Sequence, residues 1–256
     1  MNIRTALALL ILVSLSACAT ASKVNNNPDK QAKLANIHYQ LGIDALGKAG
    51  MLPKAFDELM KSNEILPNRP EVLDALAYAW LLRGDMKKSE DFYLRAIHHD
   101  AGAATFNNYA NLLNRLKRYP EAEKSARKAL ADPRYTNQDL AFINLGDALL
   151  GQEKFDAAIR AYLQARVFNS ASALVNLRLA HAYFKHGKLR ESRALYEIII
   201  RKQNDNRQAV EGLVSILEQQ NETAAARQVL NRFGQQTASS LDRAWALGEL
   251  NRFNSQ

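Results

Sequence analysis

Two small side chains twelve residues apart, returning every 33 to 36 residues, constrain this chain more than any other feature of it. The clearest copy lies within residues 139–172, where Gly146 and Ala158 are the small positions. Phe142, Leu145, Leu149 and Leu150 fall on one face of a helical pattern over 140–150. Ala158, Ile159, Tyr162 and Ala165 do the same over 155–167, and Gly151-Gln152-Glu153-Lys154 between them breaks the pattern as a turn. One such helix pair cannot bury both of its apolar faces, so it requires neighbours of the same kind.

The neighbours are present. The pair recurs as Ala77/Ser89, Ala110/Ala122, Ala180/Ser192 and Val214/Ala226, and as Gly42/Ala55 with one extra residue in the turn. The first anchors at 42, 77, 110, 146, 180 and 214 are 35, 33, 36, 34 and 34 residues apart. A large residue stands four positions after five of the six second anchors: Leu59, Tyr93, Tyr162, Tyr196 and Leu230, with Ala126 the exception. This helix–turn–helix period resembles the tetratricopeptide repeat. The resemblance implies an all-α protein, a right-handed superhelical solenoid of six repeats over residues 35–236. A capping helix and tail are expected over 237–256, with Leu241, Trp245, Leu247 and Leu250 closing the open end of the stack. Trp245 has a second reading, in which it faces solvent or a partner. No stretch alternates with a two-residue period, so no strand is expected.

Residues 1–17 carry one basic residue, Arg4, then an apolar run over 6–13 and small residues, the charge and length of a secretory signal segment. The run is short of the ~20 apolar residues a bilayer span needs. Leu15-Ser16-Ala17-Cys18 resembles the bacterial lipobox, which implies lipid on Cys18 as the mature N-terminus; Cys18 is the only cysteine, so no disulfide competes for it. An ordinary signal peptide with Cys18 incidental is the other reading. Ala19 after the cysteine, by resemblance to sorted lipoproteins, implies the periplasmic face of the outer membrane. Residues 18–34, rich in Asn, Ser and Lys, read as a flexible tether.

The net charge of +8 permits contact with anionic surfaces. Export argues against nucleic acid, and the basic residues are spread as on a solvated face. His98-His99 are adjacent and His181 and His186 are five apart, neither a spacing that seats two zinc ligands on one helical face. No phosphate loop, nucleophile elbow or HExxH pattern occurs. The expectation is therefore no metal, no cofactor and no enzyme, but a monomer that binds protein.

In tetratricopeptide repeats the first helix of each unit faces the concave side. Register then places Asn107, Asn108, Asn111 and Asn114 there from unit three, Ile143, Asn144 and Asp147 from unit four, and Arg178 and His181 from unit five. Amides carry donors and acceptors together, which suits the backbone of an extended peptide; Asn before the Leu-Gly anchor is equally a structural choice in this repeat. Asn111, Asn144 and Arg178 match three of five positions of the family's carboxylate clamp. The two lysine positions are Asn107 and Leu174, which argues against capture of a terminal carboxylate. Tyr39, Ile43 and Tyr78 make the first units more apolar, as a groove for an amphipathic segment or as a helix packed on itself.

Lipobox, tether, six units and closing helix together resemble the PilF/PilW lipoproteins of type IV pilus biogenesis. So does local text: residues 35–42 (ANIHYQLG), Phe106-Asn107-Asn108-Tyr109-Ala110, Lys117-Arg118-Tyr119-Pro120-Glu121-Ala122, and Asp132-Pro133-Arg134-Tyr135 leading into Phe142-Ile143-Asn144-Leu145-Gly146. The resemblance implies a pilotin that binds secretin subunits and promotes their outer-membrane localisation and multimerisation. The alternative is a lipid-anchored scaffold that recruits peptidoglycan-modifying or other envelope proteins.

Overall fold

The computed structural model describes residues 27–254. The expected leader, Cys18 and most of the tether lie outside them. Helices α1 (Pro28–Leu46) and α2 (Leu52–Ile65) form the first unit, α3 (Pro70–Arg83) and α4 (Met86–His98) the second, α5 (Ala103–Arg115) and α6 (Tyr119–Leu130) the third. The fourth is α7 (Gln138–Gly151) with α8 (Phe155–Phe168), the fifth α9 (Ala173–Lys185) with α10 (Leu189–Lys202), the sixth α11 (Arg207–Gln219) with α12 (Thr223–Gln236), and α13 (Ser240–Asn254) follows. No strand occurs among the described residues, and no helix there is long and apolar enough to cross a membrane.

All six first anchors and all six second anchors are buried, so their small size sets how closely the two helices of a unit approach. The large residue four places beyond the second anchor fills the gap, and Leu59, Tyr93, Tyr162 and Leu230 are fully enclosed. At Gly42 and Gly146 the approach leaves no room for a side chain: a Cβ would lie 2.6 Å from Leu59 Cγ and 2.5 Å from Tyr162 Cε1. First helices of successive units also touch one another, forming a continuous inner layer.

The turn inside units two to six is built the same way, whereas in unit one the left-handed residue is Gly50, eight places after the anchor. Seven residues after the first anchor the backbone is left-handed, at Gly84, Lys117, Glu153, Gly187 and Asn221. The next amide closes a six-residue loop back onto the helix: Asp85 N to Trp80 O, Arg118 N to Leu113 O, Lys154 N to Leu149 O, Lys188 N to Tyr183 O and Glu222 N to Leu217 O, all 2.8–3.0 Å. Only two of the five carry the glycine that this conformation favours.

One boundary differs from the sequence reading. The first helix begins at Pro28, so residues 28–34, assigned to the tether, are helical. Asn27 caps the helix by accepting from Asp29 N at 3.0 Å, and proline occupies the first turn. Ala35 is then pinned, its carbonyl accepting from Ser62 Oγ at 2.8 Å. At the other end α13 closes the stack through Ala246, Phe253, Leu250 and Trp245, whereas Leu241 and Leu247, expected in the cap, lie on the opposite face of the helix and are exposed. Trp245 packs edge-on to Phe233 at 5.7 Å with the Arg207 guanidinium 4.6 Å from its centroid, so it belongs to the cap.

Candidate protein-binding groove

Register decides what faces the concave side. The residue after each first anchor is Ile43, Tyr78, Asn111, Asp147, His181 and Ser215, apolar in the first two units and polar afterwards. Between units two and five a groove of about 270 Å³ opens, lined by Tyr78, Asn107, Asn108, Asn111, Asn144, Asp147 and Arg178. Seven of the ten expected binding residues are therefore brought together. His181 lines an adjoining depression with Arg178, Leu177 and Phe184. Tyr39 and Ile43 are not part of the groove: Tyr39 packs against the Leu59 cluster under the Arg69 guanidinium, and Ile43 lies exposed on α1.

The asparagines hold one another. Asn144, buried on α7, donates from Nδ2 to Asn107 Oδ1 at 2.8 Å and to Asn107 O at 3.2 Å. Asn114 Nδ2 donates to Asn144 O at 2.9 Å, and Arg115 Nε donates to Asn111 Oδ1 at 3.1 Å. Asn108 Nδ2 reaches both carboxylate oxygens of Asp74, at 3.2 and 3.1 Å. In unit four, Tyr162 Oη donates to Asp147 Oδ1 at 2.7 Å while Arg178 Nε approaches the same oxygen at 3.2 Å. The three clamp-like residues Asn111, Asn144 and Arg178 are thus already engaged within the protein.

Burial dominates the electrostatics. It raises the Asp147 carboxyl above its usual value, with Arg178 and Tyr162 opposing, and raises Asp74 against the hydrogen bonds of Asn108 and Thr105. His181 is lowered by burial and by Lys185 and Arg178, which favours its neutral form at pH 7. Among the described residues, four buried side-chain polar atoms have no hydrogen-bond partner, and two of them, Tyr93 Oη and Asn114 Oδ1, belong to this region. Around the amide floor runs a rim of exposed apolar side chains, Tyr78, Leu140 and Leu174, with the exposed Arg115 and Arg178 at its edge held by Asn111 and Asp147. Asp74, Tyr93, Arg115 and Leu140 were not among the sequence candidates, and Leu174 entered only as an unfilled lysine position of the clamp. Leu140 and Leu174 both stand six residues before a first anchor, a register position that could have signalled them.

Six stacked helix pairs with small anchors at each crossing have the tetratricopeptide-repeat fold, a scaffold for protein–protein interaction. The family model for the tetratricopeptide repeat matches residues 177–239. The chain is homologous to the type IV pilus assembly protein PilF of Pseudomonas aeruginosa (strain PAO1), 29% identical over 203 residues, 77% of this chain and 79% of that protein. The solved structure of P. aeruginosa PilF aligns with a TM-score of 0.71 at 23% identity, covering 86% of this chain and 99% of that one. PilW, a widely conserved type IV pilus biogenesis factor, aligns with a TM-score of 0.77 at 18% identity, covering 84% and 99%. The two structural likenesses carry the fold.

Proposed function

We propose that this chain is an outer-membrane lipoprotein acting as a pilotin: it binds secretin subunits and promotes their localisation and multimerisation in type IV pilus biogenesis. The observation that carries the reading is the sequence similarity to PilF across most of the solenoid, joined to the lipobox-like Leu15-Ser16-Ala17-Cys18. The mechanism is physical. Lipid on Cys18 makes the bound secretin cargo for lipoprotein sorting, each buried methylene contributing about 0.8 kcal/mol to membrane affinity. The concave ladder supplies the grip, with the apolar Ile43 and Tyr78 at one end and the polar positions of units three to five at the other. That division suits an extended segment whose apolar side chains lie over the first two units.

The test is fractionation of the secretin in cells carrying Cys18→Ala. The expected result is secretin that is lost from the outer membrane and stays monomeric. Unchanged outer-membrane multimers would sink the proposal.

A further inference from the structure

The outer face of α13 repeats, unpaired, the surface that each first helix presents to its own second helix. Gly248 stands 34 residues after Val214, at the position of a seventh first anchor. Around it Ala244, Leu247 and Asn251 take the places that Val210, Leu213 and Leu217 hold on α11. Those three are 1, 5 and 1% exposed because α12 covers them. Among the described residues no helix covers α13: Leu247 is 56% exposed, and Leu241, two turns before Gly248, is 79% exposed. A Cβ on Gly248 would meet nothing within 4 Å, whereas at Gly42 and Gly146 the unit's second helix fills that space.

A terminal helix in a solenoid ordinarily turns a polar face outward. On α13 the charged side chains are instead tied back to the stack or to each other. Asp242 accepts from Arg207 at 3.3 Å, Arg243 donates to Thr237 O at 3.1 Å, and Arg252 binds both Glu218 and Glu249. The outward stripe of Leu241, Ala244, Leu247 and Gly248 carries no charge.

The stripe is also complementary to itself. Leu241 is a protruding side chain and Gly248 a notch seven residues on, with Ala244 between them. Two such helices packed antiparallel about a twofold axis near Ala244 seat each Leu241 over the partner's Gly248. This is the isologous arrangement in which one patch serves both copies. It also reproduces the antiparallel packing of first and second helix in every complete unit. We propose that two copies of this chain pair through α13, each laying its α13 over the face that no described helix covers on the other.

A single helix pair covers less than the roughly 1,200–2,000 Å² of a standard interface. The dimer is accordingly weak, with a dissociation constant on the order of 10–100 μM. The test is sedimentation equilibrium on the full chain carrying Cys18→Ser, from about 5 to 500 μM, a range set to bracket that constant. A reversible monomer–dimer equilibrium is expected. Leu241→Glu with Leu247→Glu weakens it at least tenfold without changing the circular dichroism. Gly248→Leu fills the notch and weakens it similarly while the melting temperature holds or rises, which a merely structural role for Gly248 would not allow. A chain that stays monomeric throughout, or a dimer indifferent to these variants, overturns the proposal.

Discussion

Replacing Gly146 by alanine tests the packing rule on which the whole stack depends. In an open helix the change stabilises by about 1 kcal/mol, because glycine is the poorer helix former. Here the added methyl would lie 2.5 Å from Tyr162 Cε1 and 2.7 Å from Cδ1 and Cζ, inside the ring's van der Waals surface. Tyr162 is fully buried, so the ring has no solvent to retreat into. Overpacking of this kind costs about 1–3 kcal/mol. Displacing the ring also pulls its hydroxyl from Asp147, a 2.7 Å bond to a half-buried carboxyl worth about 1.5–3 kcal/mol. Tyr93 shows what that loss looks like: it faces Ala77 instead of glycine, and its buried hydroxyl has no partner. Set against the helix-propensity gain, the expected net loss is about 1.5–5 kcal/mol, or roughly 3–20 °C in melting temperature for a domain of this size. The assay is thermal and urea unfolding followed by circular dichroism, with Gly248→Ala as the internal control. That control has open space at the Cβ and should gain up to about 1 kcal/mol. If Gly146→Ala is as stable as the parent, or the two glycines respond alike, close helix approach is not what the anchors encode.

Asn144→Ala should cost about 1–3 kcal/mol, since it strands the Asn107 side-chain oxygen in a buried site; denaturant titration measures it. Glu153→Gly and Lys117→Gly should each stabilise by about 0.5–1 kcal/mol by removing a side chain from a left-handed turn, the opposite of glycine's usual effect. Glu123 links units three and four. Burial alone would raise its pKa, but hydrogen bonds from Arg127, Gln152 and Lys154 bring it down to about 2. A lowered carboxylate pKa adds stability above the unfolded value of 4.5 and forfeits it as pH falls toward about 2. Glu123→Gln should therefore flatten the acid unfolding curve in that window while lowering stability at pH 7. If the concave ladder grips an apolar partner segment, Ile43→Asp should weaken capture of the purified secretin at least tenfold, about 1.4 kcal/mol, with the melting temperature unchanged.

The fold was legible because its information is periodic. Each anchor is small for the same steric reason, so six weak local signals add in register, and the structure buries all twelve anchor positions. The start of the first helix was not legible, because residues 28–34 lack an apolar stripe. Their helicity follows from the Asn27 cap, the proline at the start and the pinning of Ala35 further along. Register likewise found the groove but not its state. The pattern places Asn107, Asn111 and Asn144 on one side; only side-chain torsions determine that they satisfy one another. Asp74 went unnoticed because its importance lies in a partner one unit away, Asn108, 34 residues on. The open face of α13 lay in the numbering all along, since 248 continues the anchor series, but a helix read as a cap draws attention to what it covers.

Whether the asparagine floor holds the solenoid together or reads a partner is decided by magnitude. A peptide that displaced the Asn144–Asn107 bond would have to replace a buried amide pair with contacts of equal quality. That yields no net gain, and any shortfall costs the 1–3 kcal/mol of an unsatisfied group. Ligand contact with the floor is therefore unprofitable, and recognition falls to groups whose present partners are solvent or weak. Tyr78, Leu140 and Leu174 offer apolar area at about 25 cal/mol per Å² buried, and Arg115 and Arg178 offer cations at the edge. On the proposed binding role, the amides fix the spacing between units three and four, and the rim residues, carried on that spacing, are the ones that would select the partner. Truncating the floor should then lower stability and binding together, whereas Tyr78→Ala should lower binding alone; equal stability losses from Asn144→Ala and Tyr78→Ala in unfolding titrations would break this division.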